Sequence, residues 1–442
     1  MANPYLPLWE YIPDGEPRVF GDRVYIYGSH DSAGSYAFCD TKLMVWSASV
    51  DDLNNWKCHG DIFRTTDGED RKADVDWTNG RLFAPDVVEK DGRYYLYAYI
   101  QEAKGCVAVS DKPEGPFTLL SQYKYPIPDG TEGFDDGIFI DPGVLVDDDG
   151  KAYIYCGFLS SYMAELNADN MYEVLDGTFQ TDIIPKGDEP WQFFEACSPR
   201  KVGDTYYLIY SPMHCSNLAY ATSDSPTGPF TFRGNIIDSG DNYPGGNNHG
   251  SICCIKGQWY IFYHRMTNNS IFSRRGCVEK IEILEDGTIP QVEATSLGFE
   301  DSLNPYKQTP ADIACVLTNG AYIIEHNEFE RCITGIKSGT VMGYKYYDFG
   351  EDFGSKTMQF AAKVRGFGAP CKIKIVLDDF ENGKEIGECI IGLDDGVYKA
   401  KIENVTGRHA VYLIAESLAN GWDCERFHNR PMMELESFVF MK

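Results

Sequence analysis

The chain has 442 residues and a formal net charge of −28, with 43% hydrophobic and 24% charged residues. This length can bury two sizeable cores, and the composition is typical of a soluble globular protein. The strong negative charge argues against nucleic acid and anionic membrane surfaces as partners.

The N-terminal residues 1–7 contain neither a basic region nor an apolar run, so we expect no signal peptide. No segment approaches membrane-spanning length. The 14 cysteines are scattered singly, apart from the adjacent Cys253 and Cys254, and form no C-x-x-C pair. This usage favours free thiols in a reducing cytoplasm over a disulfide framework or a zinc site.

One short pattern, a tight turn followed by an aromatic strand, recurs five times in the first two thirds of the chain. Its equivalent tyrosines are separated by 70, 58, 54 and 53 residues, and they are Tyr25, Tyr95, Tyr153, Tyr207 and Tyr260. A period of this size with a hairpin in each unit is typical of a β-propeller, here with five blades. The turn sequence Ser-Asp-x-Pro-x-Gly-Pro-Phe, at 110–117 and 223–230, predicts a reversal between the outer strands of four-stranded blades.

An acid or a histidine precedes each of these tyrosines by one short strand. The spacings are 11, 9, 12, 12 and 11 residues, for Asp14, Asp86, Asp141, Glu195 and His249 in turn. The innermost strands of a propeller run beside the central axis, so their equivalent starts converge at one mouth of the channel. We therefore expect five ionisable side chains to meet there and form a site.

Residues 298–310 are polar and contain proline, which predicts a connector. Beyond it, short alternating runs such as 372–377 and 411–415 are separated by turns, a pattern typical of a β-sandwich. We therefore predict an all-β protein, with a five-bladed β-propeller at 1–297, a connector at 298–310 and a β-sandwich at 311–442.

Three carboxyl groups at the predicted mouth suit glycoside hydrolysis, which uses one ionised and one protonated carboxyl group. Asp14 is the candidate base. Glu195 lies among aromatic residues, so burial is expected to raise its pKa and make it the acid, and the negative charge of Asp141 is expected to raise that pKa further. The alternatives are local: Asp14 before Gly15 as a turn former, and Asp141 before Pro142 as a strand cap.

Several other side chains are candidates for binding substrate. Asp86 and His249 are expected to line the channel. Arg265 is expected to reach either a sugar hydroxyl or a carboxylate of the site, with a surface salt bridge as the alternative. The candidates for an aromatic platform, for which blade packing is the alternative role, are Phe83, Trp77, Phe158 and Trp191.

These motifs together resemble glycoside hydrolase family 43 over about the first 295 residues. The matching segments are Pro13-Asp14-Gly15, Ala84-Pro85-Asp86-Val87, Ile140-Asp141-Pro142, Glu195 and Asn248-His249-Gly250-Ser251. The resemblance implies an inverting hydrolase acting on arabinose- and xylose-containing glycans, with Asp14 as base, Glu195 as acid and Asp141 as the tuning carboxylate. It implies no redox or nucleotide cofactor, and it allows a central calcium ion that His249 holds through water.

The C-terminal domain resembles carbohydrate-binding module family 6, on the segments 344–350 and 405–409. The resemblance implies that Tyr344 and Trp422 stack on a sugar. Glu434 and Glu436 stand where that family tends to carry Asn and Asp. A sandwich that only packs against the propeller is the alternative.

The function predicted from the sequence is a cytoplasmic, inverting glycosidase. It would remove terminal α-L-arabinofuranosyl or β-D-xylosyl residues from small oligosaccharides derived from plant polysaccharides. One alternative is a retaining, fructosidase-like five-bladed hydrolase, whose Asn-Asp-Pro-Asn type segment this chain lacks. The other is a glycan-binding propeller without turnover. The sequence leaves open the choice between arabinose and xylose, and the oligomeric state.

Overall fold

A computed structural model describes residues 2–101, 104–122, 139–186, 191–420 and 429–442. Regular structure in these ranges is β-strand, apart from one 3-10 turn at Ala311–Ile313. Alternating aromatic and β-branched residues account for this, because they pack well on a pleated surface. The described ranges contain no helix with the length and hydropathy of a membrane span.

Five antiparallel sheets follow one another in the first part of the chain, each with its strands in chain order. The first two sheets comprise β1 (Glu16–Phe20), β2 (Arg23–Gly28), β3 (Lys42–Ser49) and β4 (Asp52–Arg64), then β5 (Leu82–Lys90), β6 (Arg93–Ile100), β7 (Lys104–Ser110) and β8 (Thr118–Gln122). The third and fourth comprise β9 (Gly143–Val146), β10 (Ala152–Cys156), β11 (Tyr162–Leu166) and β12 (Gln180–Thr181), then β13 (Phe193–Val202), β14 (Thr205–Pro212), β15 (Asn217–Ser223) and β16 (Thr231–Asp238). The fifth comprises β17 (Ser251–Ile255), β18 (Gln258–Thr267) and β19 (Ser270–Ile281).

The first strands of these sheets form a ring. Strand β1 contacts β5 and β17, and β9 contacts β5 and β13. The hydroxyl groups of Ser198 on β13 and Ser251 on β17 lie 2.6 Å apart and join the remaining pair. The predicted five-bladed propeller is therefore confirmed, and the repeated tyrosines lie on the second strand of each blade.

The fifth blade has three strands, one fewer than the other four. The N-terminal segment lies along the free edge of β19, where the amide of Tyr5 donates to the carbonyl of Gly276 at 3.2 Å. The amide of Val278 on the same edge donates to the side-chain oxygen of Asn3 at 2.9 Å. This covering satisfies backbone groups that an open edge strand would leave unpaired.

The rest of the chain forms a β-sandwich. Its strands are β20 (Thr309–Pro310), β21 (Val316–Leu317), β22 (Tyr322–Asn327), β23 (Glu330–Ile336), β24 (Val341–Asp348), β25 (Thr357–Gly366), β26 (Cys371–Leu377), β27 (Lys384–Ile391), β28 (Gly396–Glu403), β29 (Arg408–Ser417) and β30 (Met433–Met441). One sheet has the order β22-β23-β30-β25-β28, with β20 paired to β30, and the other has the order β21-β24-β29-β26-β27. Their inner faces bury one apolar core.

The predicted connector, residues 298–310, divides between the two domains. The ring of Phe299 packs against Tyr5 and Tyr260 of the propeller. Strand β20, at its other end, pairs with β30 of the sandwich. The domains also contact each other directly, since the amide of Asn268 donates to the carbonyl of Ile323 at 2.7 Å.

Candidate active site

Irregular backbone presents the three predicted catalytic carboxyl groups. Asp14 and Asp141 have positive φ values of 55° and 53°, and so does Ala196, at 72°, directly after Glu195. Register shifts flank Glu195 on both sides in its pairing with β14. Few non-glycine residues adopt the left-handed region, and bulges re-aim side chains. Asp14 and Asp141 therefore lie just before the first strands of their blades, and Glu195 lies where the ladder of β13 is interrupted.

These residues converge at the ring of first strands. The Nδ1 atom of His249 lies 3.9 Å from Oδ1 of Asp14 and 3.7 Å from Oδ2 of Asp141. Asp141 accepts a hydrogen bond from the backbone amide of Ala196, the residue after Glu195. The structure therefore brings together Asp14, Asp141, Glu195 and His249.

Close backbone approach makes this convergence possible between the third and fourth blades. A Cβ atom at Gly143 would lie 2.3 Å from the carbonyl oxygen of Cys197, a distance that non-bonded atoms do not adopt. Glycine at this position therefore lets the segment that carries Asp141 approach the segment that carries Glu195.

Asp14 is held in its ionised form. Nη1 of Arg274 donates to Oδ1 of Asp14 at 2.9 Å. Burial opposes ionisation, but the charge of Arg274 and a hydrogen bond from Ser29 outweigh it, so the pKa of Asp14 lies below its ordinary value. An ionised, buried carboxylate is the form that a general base requires.

His264 positions the backbone of Asp14. Its Nδ1 accepts the amide proton of Asp14 at 3.2 Å, and its Nε2 lies 2.9 Å from the carbonyl oxygen of Asn247, to which it donates. Burial lowers the pKa of His264 to about 3, so the ring is neutral. These two bonds define its tautomer, with the proton on Nε2.

Glu195 has the opposite protonation preference. Burial raises the pKa of Glu195 to about 7, and the negative charge of Asp14 raises it while Arg274 lowers it. The sequence predicts that Asp141 supplies this charge. In the structure, burial first, and then Glu195 and Asp14, raise the pKa of Asp141 itself. The charge of Asp14 thus raises the pKa of Glu195, and Glu195 and Asp141 are close enough for the charge of one to raise the pKa of the other. The tuning role expected for Asp141 stays a prediction.

Arg274 is the main residue of the site that the sequence pattern did not reveal. Its Nε and Nη2 bind the two carboxylate oxygens of the buried Asp31 at 2.9 and 3.0 Å, and the ring of Phe38 lies 4.9 Å from its guanidinium. The sequence feature that could have revealed Arg274 is the pair Arg274-Arg275, which lies within the buried part of β19. Adjacent buried arginines need anionic partners, but the blade repeat does not predict which ones.

Asp86 lies deeper in the channel than predicted. Asp86 pairs with Tyr97 across its hairpin, as Glu16 pairs with Tyr27, so Asp86 is equivalent to Glu16 rather than to Asp14. Asp86 precedes Tyr95 by 9 residues, whereas Asp14 precedes Tyr25 by 11. This difference of two residues displaces Asp86 by roughly 7 Å along its strand. Its carboxylate binds Nε and Nη2 of Arg18 at 3.0 and 2.6 Å. The prediction that it lies at the mouth is wrong.

Arg265 also lies away from the carboxyl groups. Side chains alternate along β18, so His264 faces Asp14 while Arg265 faces the sandwich. Its Nη1 donates to the carbonyl of Ala314 at 3.1 Å, and its guanidinium lies 4.9 Å from the ring centre of Tyr243. Neither predicted role, sugar contact or surface salt bridge, fits this buried position.

The four aromatic candidates occupy different environments. Phe158 packs against Phe194, next to Glu195, with ring centres 5.2 Å apart. Trp191 stacks on Phe232 of the outermost strand β16 at 5.4 Å. The two remaining candidates pack within the second blade, Phe83 against Tyr99 and Trp77 against the apolar core. Phe158 therefore has the placement best suited to a sugar platform.

The predicted sugar-stacking pair of the sandwich is not supported. Tyr344 is fully buried and donates to the carbonyl of Ala311, so its face cannot meet a ligand. Trp422 lies outside the described residues. Glu434 accepts a hydrogen bond from His326, and Glu436 is paired with Arg365.

The donor set at the channel does not form a direct calcium cage. Calcium prefers several oxygen ligands, whereas His249 offers nitrogen. The carboxylates of the next layer are already bound, Asp86 by Arg18 and Glu16 by Arg200. Among the described side chains, the arrangement suits only a hydrated ion that contacts His249 through water. The calcium prediction stays a prediction.

Comparison with known proteins agrees with this architecture. The model for glycosyl hydrolases family 43 matches residues 10–289. A "Xylosidase/arabinosidase" of Thermoclostridium stercorarium is 39% identical, over 93% of this chain and 95% of its own length.

Two solved structures extend the comparison. A Bacillus subtilis family 43 arabinoxylan arabinofuranohydrolase in complex with cellotetraose covers 100% of this chain and 97% of its own, with a TM-score of 0.53 and 23% identity, and supports the two-domain fold. CoXyl43, a β-xylosidase/α-arabinofuranosidase from a compost metagenome, is 29% identical, with a TM-score of 0.53, over 66% of this chain and 97% of its own. That structure contains xylotriose and is described as a calcium-free form.

Proposed function

Since the chain belongs to family 43 of the glycosyl hydrolases and is a glycosidase, we propose that it removes terminal α-L-arabinofuranosyl or β-D-xylosyl residues from oligosaccharides derived from plant polysaccharides, with inversion of configuration. The observation that carries the mechanism is the unequal charge of the site. Three carboxyl groups meet, and among the described residues only Asp14 has a direct arginine partner, Arg274. One carboxyl group is therefore ionised while the pKa values of the other two are raised.

The reaction uses this asymmetry. The carboxylate of Asp14 accepts a proton from a water molecule as the water oxygen attacks the anomeric carbon. The carboxyl group of Glu195 donates its proton to the glycosidic oxygen as the bond between carbon and that oxygen breaks. Asp14 ends protonated and Glu195 ends ionised, and exchange of one proton through solvent restores both.

Asp141 acts as a positioning residue in this proposal. It accepts a hydrogen bond from the amide of Ala196 and therefore holds the bulge that presents Glu195. Burial, and then the charges of Glu195 and Asp14, raise the pKa of Asp141. His249, whose pKa burial lowers, contacts both aspartates as a neutral ring.

The substrate class rests on the relatives and on the shape of the site. The Thermoclostridium stercorarium relative is named for both xylose and arabinose release, and CoXyl43 binds xylotriose. Phe158 and Phe194 give an apolar surface beside Glu195 on which a sugar ring can stack. The proposed partner is accordingly a small oligosaccharide.

The decisive experiment compares leaving groups. Initial rates are measured on 4-nitrophenyl α-L-arabinofuranoside and β-D-xyloside and on unactivated pentose oligosaccharides. Glu195→Gln should lose about 10²–10⁴-fold in kcat/KM on the oligosaccharides, the range for a missing general acid. The loss on the nitrophenyl glycosides should be much smaller, because nitrophenolate departs without a proton.

Glu165→Gln is the matched control, since Glu165 on β11 pairs with Lys151, the residue before β10, away from the channel. Equal losses on both substrate types would remove Glu195 from the acid role. If the parent protein turned over no pentoside, the glycan-binding alternative would be favoured. NMR detection of the first-formed sugar anomer tests inversion, and retention would favour the fructosidase-like chemistry.

We also propose a cytoplasmic location. The support is that the 13 cysteines in the described ranges, which include the exposed Cys254, are all free thiols. Fractionation of the source cells, followed by activity measurement on the identified pentoside, tests this. Recovery of the protein in the extracellular fraction would contradict it.

A further inference from the structure

Three side chains of different ligand chemistry meet on the sandwich, outside the propeller. His326 lies near the end of β22, Cys332 on β23 and Glu434 on β30. These strands are neighbours in one sheet. One donor atom from each side chain lies within 4.8 Å of the other two.

Two hydrogen bonds converge on a single carboxylate oxygen in this cluster. Nε2 of His326 lies 2.9 Å from Oε2 of Glu434, and Sγ of Cys332 lies 3.3 Å from the same atom. The carboxylate accepts, so both partners direct a proton at one point. One divalent cation placed between the three atoms would take the place of both protons.

We propose that His326, Cys332 and Glu434 form a zinc site in the sandwich domain. Zinc accepts sulfur, imidazole nitrogen and carboxylate oxygen together, usually in tetrahedral geometry. Calcium and magnesium prefer all-oxygen sites, so the thiol argues against them. Three protein ligands leave a fourth position for water.

The surroundings allow a cation to enter and remain. Cys332 and Glu434 are buried, whereas 31% of the His326 side chain is exposed and provides the entry path. The nearby cation Arg365 is already paired, with Glu436 at 3.0 Å and Glu330 at 3.3 Å. Its positive charge is therefore largely compensated at the position of the ion.

Binding requires no redox partner. A zinc–sulfur bond forms as the Cys332 thiol releases its proton to solvent, and the oxidation states do not change. The bound ion would join three neighbouring strands, so it should stabilise the folded sandwich by mass action.

The site can be tested on the full chain after treatment with a chelator and removal of the chelate. Co²⁺ serves as the probe, because a thiolate ligand produces a charge-transfer absorption. We expect one Co²⁺ per chain with that absorption, and its displacement by Zn²⁺. Cys332→Ser should abolish the absorption, and His326→Asn should weaken Co²⁺ binding at least about tenfold, since even outer-sphere changes cost that much.

Two substitutions of the same type elsewhere are the controls. Cys254→Ser removes an exposed thiol of the propeller, and His409→Asn removes a histidine bound to Asp378 on the other sheet. Both variants should bind Co²⁺ as the parent does. His326→Asn changes a partly exposed ring, so it remains informative if Cys332→Ser does not fold.

The proposal is overturned if the parent shows no thiolate absorption, or if the absorption survives in Cys332→Ser. It is also overturned if His326→Asn binds Co²⁺ as tightly as the parent. The result does not depend on the proposed pentosidase activity, because the readout is metal binding and the three residues lie outside the propeller.

Discussion

The propeller channel has two layers of carboxyl groups and arginines, one at its mouth and one deeper. The ratio of carboxyl groups to arginines differs between them. At the mouth, Asp14, Asp141 and Glu195 meet one guanidinium, that of Arg274, and this arginine is also bound to Asp31. In the part of the chain that the structure describes, the mouth therefore has more acids than cations, and the pKa values of two of its carboxyl groups are raised.

The deeper layer is balanced. Two carboxylates, Glu16 and Asp86, meet two guanidinium groups, Arg18 and Arg200. Burial lowers the pKa of Arg18, but Asp86 and Glu16 outweigh this effect and raise it. Each charge in this layer has a partner, so the layer holds blades together. The two layers therefore differ in the ratio of arginine to carboxyl groups, whereas burial raises a carboxyl pKa in both, that of Asp86 included.

Asp14→Asn should produce the largest effect, because it removes the ionised group of the mouth. We expect kcat/KM for pentosides to fall by about 10²–10⁴-fold, as is usual for loss of a general base. Arg274 keeps its two bonds to Asp31, so the fold should persist in circular dichroism. Asp111→Asn, on a 90% exposed side chain, is the control. A variant with parental kcat/KM would show that the mouth needs no base at this position.

Asp86→Asn, in the deeper layer, should lower the stability of the protein rather than its activity. Removing one charge leaves Arg18 buried without its bidentate partner, so the free energy of unfolding should fall by about 3–5 kcal/mol. The value of kcat, measured where the variant is fully folded, should stay near that of the parent. Urea unfolding and steady-state rates check both statements. A large loss of kcat with unchanged stability would place Asp86 functionally at the mouth.

Glu195→Gln should stabilise the protein at high pH. The folded-state pKa of Glu195 is about 7, against an ordinary value of 4.5, so the folded protein retains a proton that the unfolded chain has lost. Stability therefore falls as pH rises through this window, by up to about 3 kcal/mol, and glutamine removes the penalty. Thermal unfolding of parent and variant should differ at pH 8 and coincide near pH 4. A variant less stable than the parent at pH 8 would contradict the raised pKa.

Arg274→Lys should cause the smallest change, a shift in the pH dependence of kcat/KM. Lysine retains charge but cannot bind Asp31 and Asp14 with the same fork, so the pKa of Asp14 should rise. The acidic limb of the plot of kcat/KM against pH should then move to higher pH by about one unit, which corresponds to about 1.4 kcal/mol. The basic limb, near pH 7 in the parent because of Glu195, should move in the same direction. An acidic limb that does not move would mean that Arg274 does not control Asp14.

Much of the fold could be predicted from local patterns. A tight turn followed by aromatic residues defines one hairpin, and five such hairpins at similar spacing define five blades. The three carboxyl groups could be found for the same reason, because Asp14, Asp141 and Glu195 each precede their hairpin by nearly the same number of residues. The burial that raises the pKa of Glu195 was visible in its aromatic neighbours.

Other features depended on contacts between distant residues. Asp86 precedes its hairpin tyrosine by two residues fewer than Asp14 does, so it lies in the deeper layer of the channel. Only the strand register reveals this position. Side chains alternate along β18, so Arg265 faces the sandwich while His264 faces Asp14.

The sequence by itself therefore determined the repeated blades and the three carboxyl groups, because hairpins and their flanking residues are local. The tertiary structure alone decided which acid is ionised. Arg274 and Asp14 are 260 residues apart in the chain and meet only because the fifth blade packs against the first. That one contact lowers the pKa of Asp14, whereas the other two acids have no cation of their own within the described ranges.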